Sequence, residues 1–226
     1  MIAIENLTKS YGNKNVLTNI NLTFKKGEVN GIVGDNGSGK TSLFKCISGI
    51  EKYDGLIRCD QQYLKDHLGF LQTEPYYFSK ITGREYIRLL CNSRQIEEKE
   101  IDSKNIFDLP LNEYAINYST GMKKKLAIMG ILLQNNDYFI LDEPFNGLDI
   151  QSNIIVTEII HKLKQLNKVI IISSHIFSTL NDTCDHIHLL KSGTIIKSVF
   201  KEEFDELEEE MKKLTIGSRI EKLNLQ

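Results

Sequence analysis

No apolar run in this chain approaches the roughly 18–20 residues that span a bilayer; the longest, residues 126–133, is far too short. The opening stretch, MIAIENLTKSYG, turns polar too early for a secretory signal. The chain is therefore expected to be soluble and to meet a membrane only through a partner. Cysteine is sparse and scattered: Cys46, Cys59, Cys91 and Cys184 form no CxxC pair and share no ligand spacing with histidine, so they read as free thiols of a reducing cytosol. Neither sign of charge dominates, with 28 basic against 30 acidic residues and a net charge of −2, so the whole chain carries no nucleic-acid footprint. Internal repeats are lacking too. What remains, 226 residues of which 41% are hydrophobic and 26% charged, suits one sizeable domain, alone or with an inserted subdomain.

The first third alternates short β-like runs with turns. Residues 19–24, NINLTF, have the period-2 pattern of a half-buried strand, and VNGIVG ends another at Gly34. A helical pattern starts near Lys40, residues 54–72 return to short strands, and 82–134 read as mostly helical, REYIRLLC and MKKKLAIMGILLQ being separated by a polar link around IDSKN. YFILD and KVIIIS are short continuous apolar runs, expected as buried parallel strands, separated by an amphipathic helix over 151–166. HIHLLKSGTIIKSVF has the form of a hairpin turning at Lys-Ser-Gly. Strand–helix–strand alternation implies an α/β core with a helical insertion at about 73–135. The end, KEEFDELEEEMKKL, is expected as a solvated charged helix with Glu208–Lys212 and Glu209–Lys213 at favourable spacing.

Two motifs carry chemistry. GDNGSGKT at 34–41 fits G-x-x-x-x-G-K-[ST] and lies after a buried strand and before a helix. Glycine lets the backbone wrap a phosphate with its N–H groups inward, and the helix N-terminus adds partial positive charge. Lys40 is placed to reach the β- and γ-phosphates and the Thr41 hydroxyl to meet Mg²⁺. YFILDEP at 138–144 puts Asp142 at the carboxyl edge of a buried strand, where open α/β sheets bind ligands, with Glu143 beside it to polarise a water. An acid at a strand end often merely caps the next helix; paired with the phosphate loop it gains weight.

In chain order, Tyr11 in KSYG, GDNGSGKT, Gln72 in GFLQTEP, YSTGM at 118–122, YFILDEP, FNGLD at 145–149 and IISSH ending at His175 resemble the nucleotide-binding subunit of ATP-binding cassette (ABC) transporters, from about residue 2 to about 200. The resemblance implies a P-loop NTPase core of mostly parallel sheet, an N-terminal antiparallel β portion, an inserted α-helical subdomain at about 73–135, and a charged helical tail at 201–226. It implies an ATPase using ATP and Mg²⁺. Gly34, Asp35, Asn36, Gly37, Ser38, Gly39, Lys40, Thr41 and Ser42 would hold the phosphates, and Tyr11 would stack on adenine, unless it is only an exposed strand-end ring. Thr41, Gln72 and Asp142 would serve the metal. Glu143 is similar to the family's catalytic base, His175 to its switch histidine, Gln72 to the glutamine that senses Mg²⁺ and the attacking water, and Asp149 to an interface aspartate, with a helix N-cap as the competing reading. His161, His186 and His188 have no such context and read as ordinary surface or edge residues.

YSTGMKKKL at 118–126 departs from the common Leu-Ser-Gly-Gly-Gln signature, with Thr120 and Met122 in place of glycine and glutamine. Its Tyr-Ser-x-Gly-Met form is similar to that of cassettes serving exporter-type membrane proteins. The stretch is open to three readings: a solvated basic patch, a nucleic-acid contact, or a helix start aimed at a phosphate. The resemblance favours the last, with Ser119 as N-cap and Ser119 and Gly121 facing the nucleotide of a second copy, and some of Lys123, Lys124 and Lys125 merely solvated. It further implies a head-to-tail dimer, with a homodimer expected, and separate integral membrane subunits. The place of action would be the cytoplasm, peripheral on the inner face of the cell membrane. Glu74-Pro75-Tyr76-Tyr77-Phe78 is a candidate partner contact or else packs inward. The alternative function is a soluble cassette ATPase serving a protein assembly. A P-loop small-molecule kinase would leave YSTGM, FNGLD and IISSH unexplained.

Overall fold

The computed structural model describes residues 1–221; the last residues of the expected 201–226 tail lie outside the described residues. Strands β1 (Ile2–Tyr11) and β2 (Lys14–Phe24) pair antiparallel across a tight turn in which Gly12 takes φ 57°. Then come β3 (Val29–Val33), α1 (Lys40–Ile47), β4 (Asp54–Cys59) and β5 (Leu68–Leu71). Helices α2 (Gly83–Asn92) and α3 (Thr120–Leu133) follow, then β6 (Tyr138–Asp142), α4 (Ile150–Gln165), β7 (Val169–Ser173) and α5 (Phe177–Thr183). The hairpin of β8 (His186–Lys191) and β9 (Thr194–Phe200) precedes α6 (Phe204–Glu221). Its turn residues Ser192 and Gly193 have φ 48° and 80°, the left-handed pair that a two-residue hairpin turn requires.

Two sheets result. One is antiparallel, ordered β2-β1-β4; the other has the order β5-β6-β7-β3-β8-β9, parallel except for β9. The central strands read as unbroken apolar runs because both their faces are covered. Tyr138, Ile140, Val169, Ile171 and Ile32 face α1 and the antiparallel sheet. Phe139, Leu141, Ile170, Ile172, Val29 and Val33 face the side where α3, α4 and α5 contribute Ile128, Val156, Ile160 and Leu180. Each such buried side chain contributes about 1.5–3 kcal/mol.

Between β5 and β6, α2 and α3 build a third apolar cluster from Tyr77, Ile87, Cys91, Tyr118, Leu126 and Met129. The start of α2 is fixed by a capping box between Thr82 and Glu85. The two helical stretches expected within 82–134 form α2 and α3, but the polar link between them is longer than IDSKN: residues 93–119 run in turns with one 3₁₀ turn at Ala115–Asn117. The polar stretch 92–105 offers no apolar stripe, and Gln95 and Asp108 take φ 57° and 50°, which no helix admits. Nor is the tail simply solvated. Phe204 and Leu207 are buried in the core beneath the parallel sheet, with Met211 packed against it, an i, i+3, i+7 stripe that docks the first turns of α6. The anticipated pairs form beside this stripe, Lys212–Glu208 at 2.8 Å and Lys213–Glu209 at 3.9 Å. The four cysteines are free thiols.

Candidate active site

The order β5-β6-β7-β3 brings four strand ends to one edge of the sheet, and each delivers polar residues there. The loop after β3 is the glycine-rich segment; β5 leads into Gln72 and Thr73; β6 ends in Asp142 and Glu143; β7 ends in Ser173, two residues before His175. Asp142 and Ser173 are register partners across β6 and β7. An open cleft of about 400 Å³ lies above this edge, lined by Asn36, Gly37, Gly39, Lys40, Thr41, Ser42, Thr73, Asp142, Glu143, Asn146 and His175, with Val16 at one wall.

Two of the loop's three glycines are enforced sterically. A Cβ on Gly34 would fall 2.1 Å from Leu190 O, and Gly39, which caps α1 at φ 114°, would meet Leu17 Cδ2 at 2.8 Å. Gly37, at φ 82°, has open space around it. Lys40 Nζ donates to Gly34 O at 2.6 Å and Asp35 O at 3.2 Å, folding over the loop's own carbonyls. Burial pulls this ammonium below the usual lysine range, against the opposing fields of Glu143, Asp142 and Asp35. Ser38 donates its amide to Asp35 O at 3.0 Å, while its buried hydroxyl has no hydrogen-bond partner among the described residues. A loop whose Gly34 and Gly39 leave no room for a Cβ, an inward lysine and an orphaned hydroxyl fit an oxyanion ligand.

Beside the loop, the buried Asp142 carboxylate is saturated by hydroxyls. Thr41 Oγ1 and Thr73 Oγ1 donate to its Oδ2 at 2.8 and 2.7 Å, and Ser173 Oγ donates to Oδ1 at 2.6 Å. One carboxylate amid neutral hydroxyls suits Mg²⁺, which keeps waters and phosphate oxygens as its other ligands. Glu143 sits in the left-handed region at φ 53°, a conformation costing roughly 1–2 kcal/mol for an L-residue. Its amide donates to Ser173 Oγ at 2.9 Å, its carbonyl accepts from Lys124 Nζ at 2.7 Å, and its Oε2 lies 2.8 Å from His175 Nδ1.

Not every expected residue joins this cleft. Gln72 lines a neighbouring cavity of about 300 Å³ with Lys45, Phe70 and Glu74; Thr41 and Thr73 form the wall shared by the two. Tyr11 stands exposed at the end of β1, outside the cleft lining, with Lys9 Nζ 4.4 Å from its ring centroid. Ser119 caps α3, accepting from Met122 N at 3.2 Å, and Gly121 abuts Gly147, where a Cβ would come within 2.7 Å of the carbonyl; both lie outside the lining. Asp149 caps α4 through Ser152 N at 2.8 Å.

Two lysines of the patch have partners within the chain. Lys124 turns to the Glu143 carbonyl, and Lys125 pairs with Asp149 at 2.8 Å. Burial pulls Lys124 below the lysine range, opposed by Glu143, Asp142 and Glu74. The aromatic run divides: Tyr76 and Phe78 are exposed and stack edge to face, while Tyr77 is buried against Tyr86. His188 is no surface residue either. It is buried between Asn30 and Ser198, because β8 is an interior strand flanked by β3 and β9. Thr73, Asn146 and Ser173 were missed from sequence, and Lys124 was noted only as part of a basic run; for Thr73 and Ser173 the available signal was a small hydroxyl residue at or just past the end of a strand neighbouring β6.

The chain matches the ABC transporter family over residues 17–146. It belongs to that family. The ABC transporter ATP-binding protein NatA of Bacillus subtilis is 30% identical over 216 residues, covering 87% of this chain and 88% of its own. The lantibiotic transport ATP-binding protein SrtF of Streptococcus pyogenes is 30% identical over 208 residues, covering 87% and 89%. Among solved structures, an ATP-binding subunit of an ABC transporter superposes with a TM-score of 0.82 at 24% identity, over 94% of this chain and all of that one, the same fold. The cassette is thus an ATP-binding subunit of an ABC transporter, and its activity is ATP hydrolysis. No helix among the described residues is long and apolar enough to cross a membrane.

Proposed function

We propose that this cassette hydrolyses ATP as a homodimer docked on separate integral membrane subunits at the inner face of the cell membrane, driving export. Residues 1–200 form the catalytic unit, with 73–135 as its inserted helical part and 201–226 as an appended tail. The Tyr-Ser-x-Gly-Met signature and relatives whose names specify lantibiotic or bacitracin transport support the direction. The observation that carries the chemistry is the strained Glu143 held beside the glycine-rich loop, next to a hydroxyl-saturated Asp142.

Residues 34–42 hold the triphosphate, with Lys40 turning from the loop carbonyls to the β- and γ-phosphates, and Tyr11 stacks on adenine. Mg²⁺ would be held by Thr41, Asp142 and, on closure, Gln72, and would neutralise charge developing on the phosphate oxygens. Glu143 accepts the proton of the attacking water, and His175, already oriented by the Glu143 carboxylate, donates toward the γ-phosphate. Ser119 and Gly121 at the α3 N-terminus complete the site of the partner copy.

The test is Glu143→Gln. ATP binding measured by calorimetry stays intact, turnover is lost, and an ATP-bound dimer accumulates on size exclusion; near-normal hydrolysis overturns Glu143 as the base. Lys40→Ala weakens nucleotide affinity itself, and unchanged affinity would count against the loop. Co-purification of an integral membrane protein from detergent separates the transporter from a soluble assembly ATPase.

A further inference from the structure

Lys124 is the one member of the lysine run that the core swallows. It is 2% exposed, on the second turn of α3, and among the described residues its Nζ makes a single hydrogen bond, to the main-chain oxygen of Glu143 at 2.7 Å. A buried ammonium is tolerated only where its partners recover the lost hydration. Here Asp142, Glu143 and Glu74 are the acids whose fields reach it. It is absent from the lining of the phosphate cleft, so it does not serve as a phosphate ligand.

Its acceptor is no ordinary peptide. Glu143 holds φ 53°, and the residue is gripped at each of its polar groups. The amide is held by Ser173 Oγ at 2.9 Å and the carboxylate by His175 Nδ1 at 2.8 Å, both from the end of β7. From outside the strands the carbonyl is held by Lys124 at 2.7 Å, its shortest and only charged contact, with a longer bond from Asn146 N at 3.3 Å. Rotation of the 143–144 peptide out of the left-handed conformation would carry that oxygen away from a buried cation and leave the cation unpaired, which makes the strained conformation the stable one.

We propose that Lys124 is a positioning residue for ATP hydrolysis: by holding the Glu143 carbonyl it fixes the left-handed backbone that aims the Glu143 carboxylate at the attacking water. The proposal rests on Glu143 being the base. Because Lys124 rides on the helix that Ser119 caps, the aim of the base follows the position of α3. Glycine or asparagine at 143 would hold the backbone without help; a carboxylate needed there for chemistry requires the strut.

The experiment uses the full-length cassette and steady-state ATP turnover, with ATP affinity measured separately in a Glu143→Gln background. Lys124→Met keeps the apolar stem and removes the donor. Its kcat is expected to fall about tenfold to a hundredfold, the range expected from losing one charge-assisted hydrogen bond. KM and the separately measured affinity stay within about twofold. Lys124→Arg, which keeps a cationic donor, recovers at least half of the loss on a logarithmic scale. Lys123→Met, one residue away, leaves kcat unchanged.

If Lys124→Met does not melt cooperatively, Lys124→Leu, which also lacks a donor, carries the same comparison. Wild-type kcat in the folded donor-less variant overturns the proposal, as does a loss of affinity that Arg fails to rescue, the mark of a merely structural lysine. Normal hydrolysis by Glu143→Gln alone would instead sink the base assignment. An inactive Glu143→Gln beside a fully active Lys124→Met would sink only the role of Lys124.

Discussion

Replacing Ser173 by alanine isolates the hydroxyl that ties the two acids of the site together. Ser173 is fully buried; its Oγ donates to Asp142 Oδ1 at 2.6 Å and accepts from Glu143 N at 2.9 Å. A hydrogen bond to a charged acceptor is worth about 1.5–3 kcal/mol, and a stranded buried N–H costs about 1–3 kcal/mol. The two losses share one atom and do not simply add. Asp142 also keeps Thr41 and Thr73 on its other oxygen. The expected destabilisation is therefore about 2–4 kcal/mol. In a chain of this length each kcal/mol moves Tm by about 2–4 °C, which gives a drop of roughly 4–16 °C. Urea unfolding followed by circular dichroism reads it directly, as a lowered midpoint with an unchanged slope. A loss below about 1 kcal/mol would refute the bridge, since either bond alone is worth that much. Turnover should fall as well, because the freed Glu143 amide no longer opposes the relaxation of its φ.

Gly34→Ala places a methyl 2.1 Å from Leu190 O, a backbone atom that cannot step aside, so the variant should lose soluble yield or melt well below the parent; a wild-type melt would show that the loop has room. Burial, with a smaller push from His186, lowers His188 from 6.5 to about 4. The unfolded chain then binds a proton that the folded one refuses, so stability falls as pH drops from 6.5 toward 4, by up to about 3 kcal/mol, and is independent of this group above that window. Urea midpoints at pH 7 and 4.5 should differ more in the parent than in His188→Gln; equal differences would remove His188 as the cause. Lys9→Met takes the cation from the face of Tyr11 and should raise KM for ATP severalfold without changing inhibition by tripolyphosphate, which has no base to stack; equal effects on both would place Lys9 elsewhere in the mechanism.

The α/β core and the phosphate loop were legible because they rest on local signals. Continuous apolar runs such as YFILD and VIIIS announce strands buried on both faces, and GDNGSGKT can be recognised by spacing alone. What escaped depends on strand order. That Ser173 would face Asp142, or Thr73 reach it from β5, follows from β6 lying between β5 and β7, which periodicity along a single strand does not encode. Segment 93–119 was legible only in part: the polar link around IDSKN marks a break between two helices, but its extent is set by turns such as those at Gln95 and Asp108 that composition does not announce. His188 lacked any flanking motif, and its burial is decided by β9 folding back over β8.

The lysine run shows how a correct local reading can hide a tertiary role. Three cations in the first turns of α3 oppose the helix macrodipole, a penalty that phosphates nearby would offset. The structure supplies nearer partners. Lys124 ends on the Glu143 carbonyl and Lys125 on Asp149, while Gly121 presses on Gly147. Thus the start of α3 is fastened at three points along residues 143–149, the segment that runs from the end of β6 to the cap of α4. On the role proposed for Lys124, a force that displaces α3 would reach the Glu143 carboxylate through that lysine, without passing through the nucleotide.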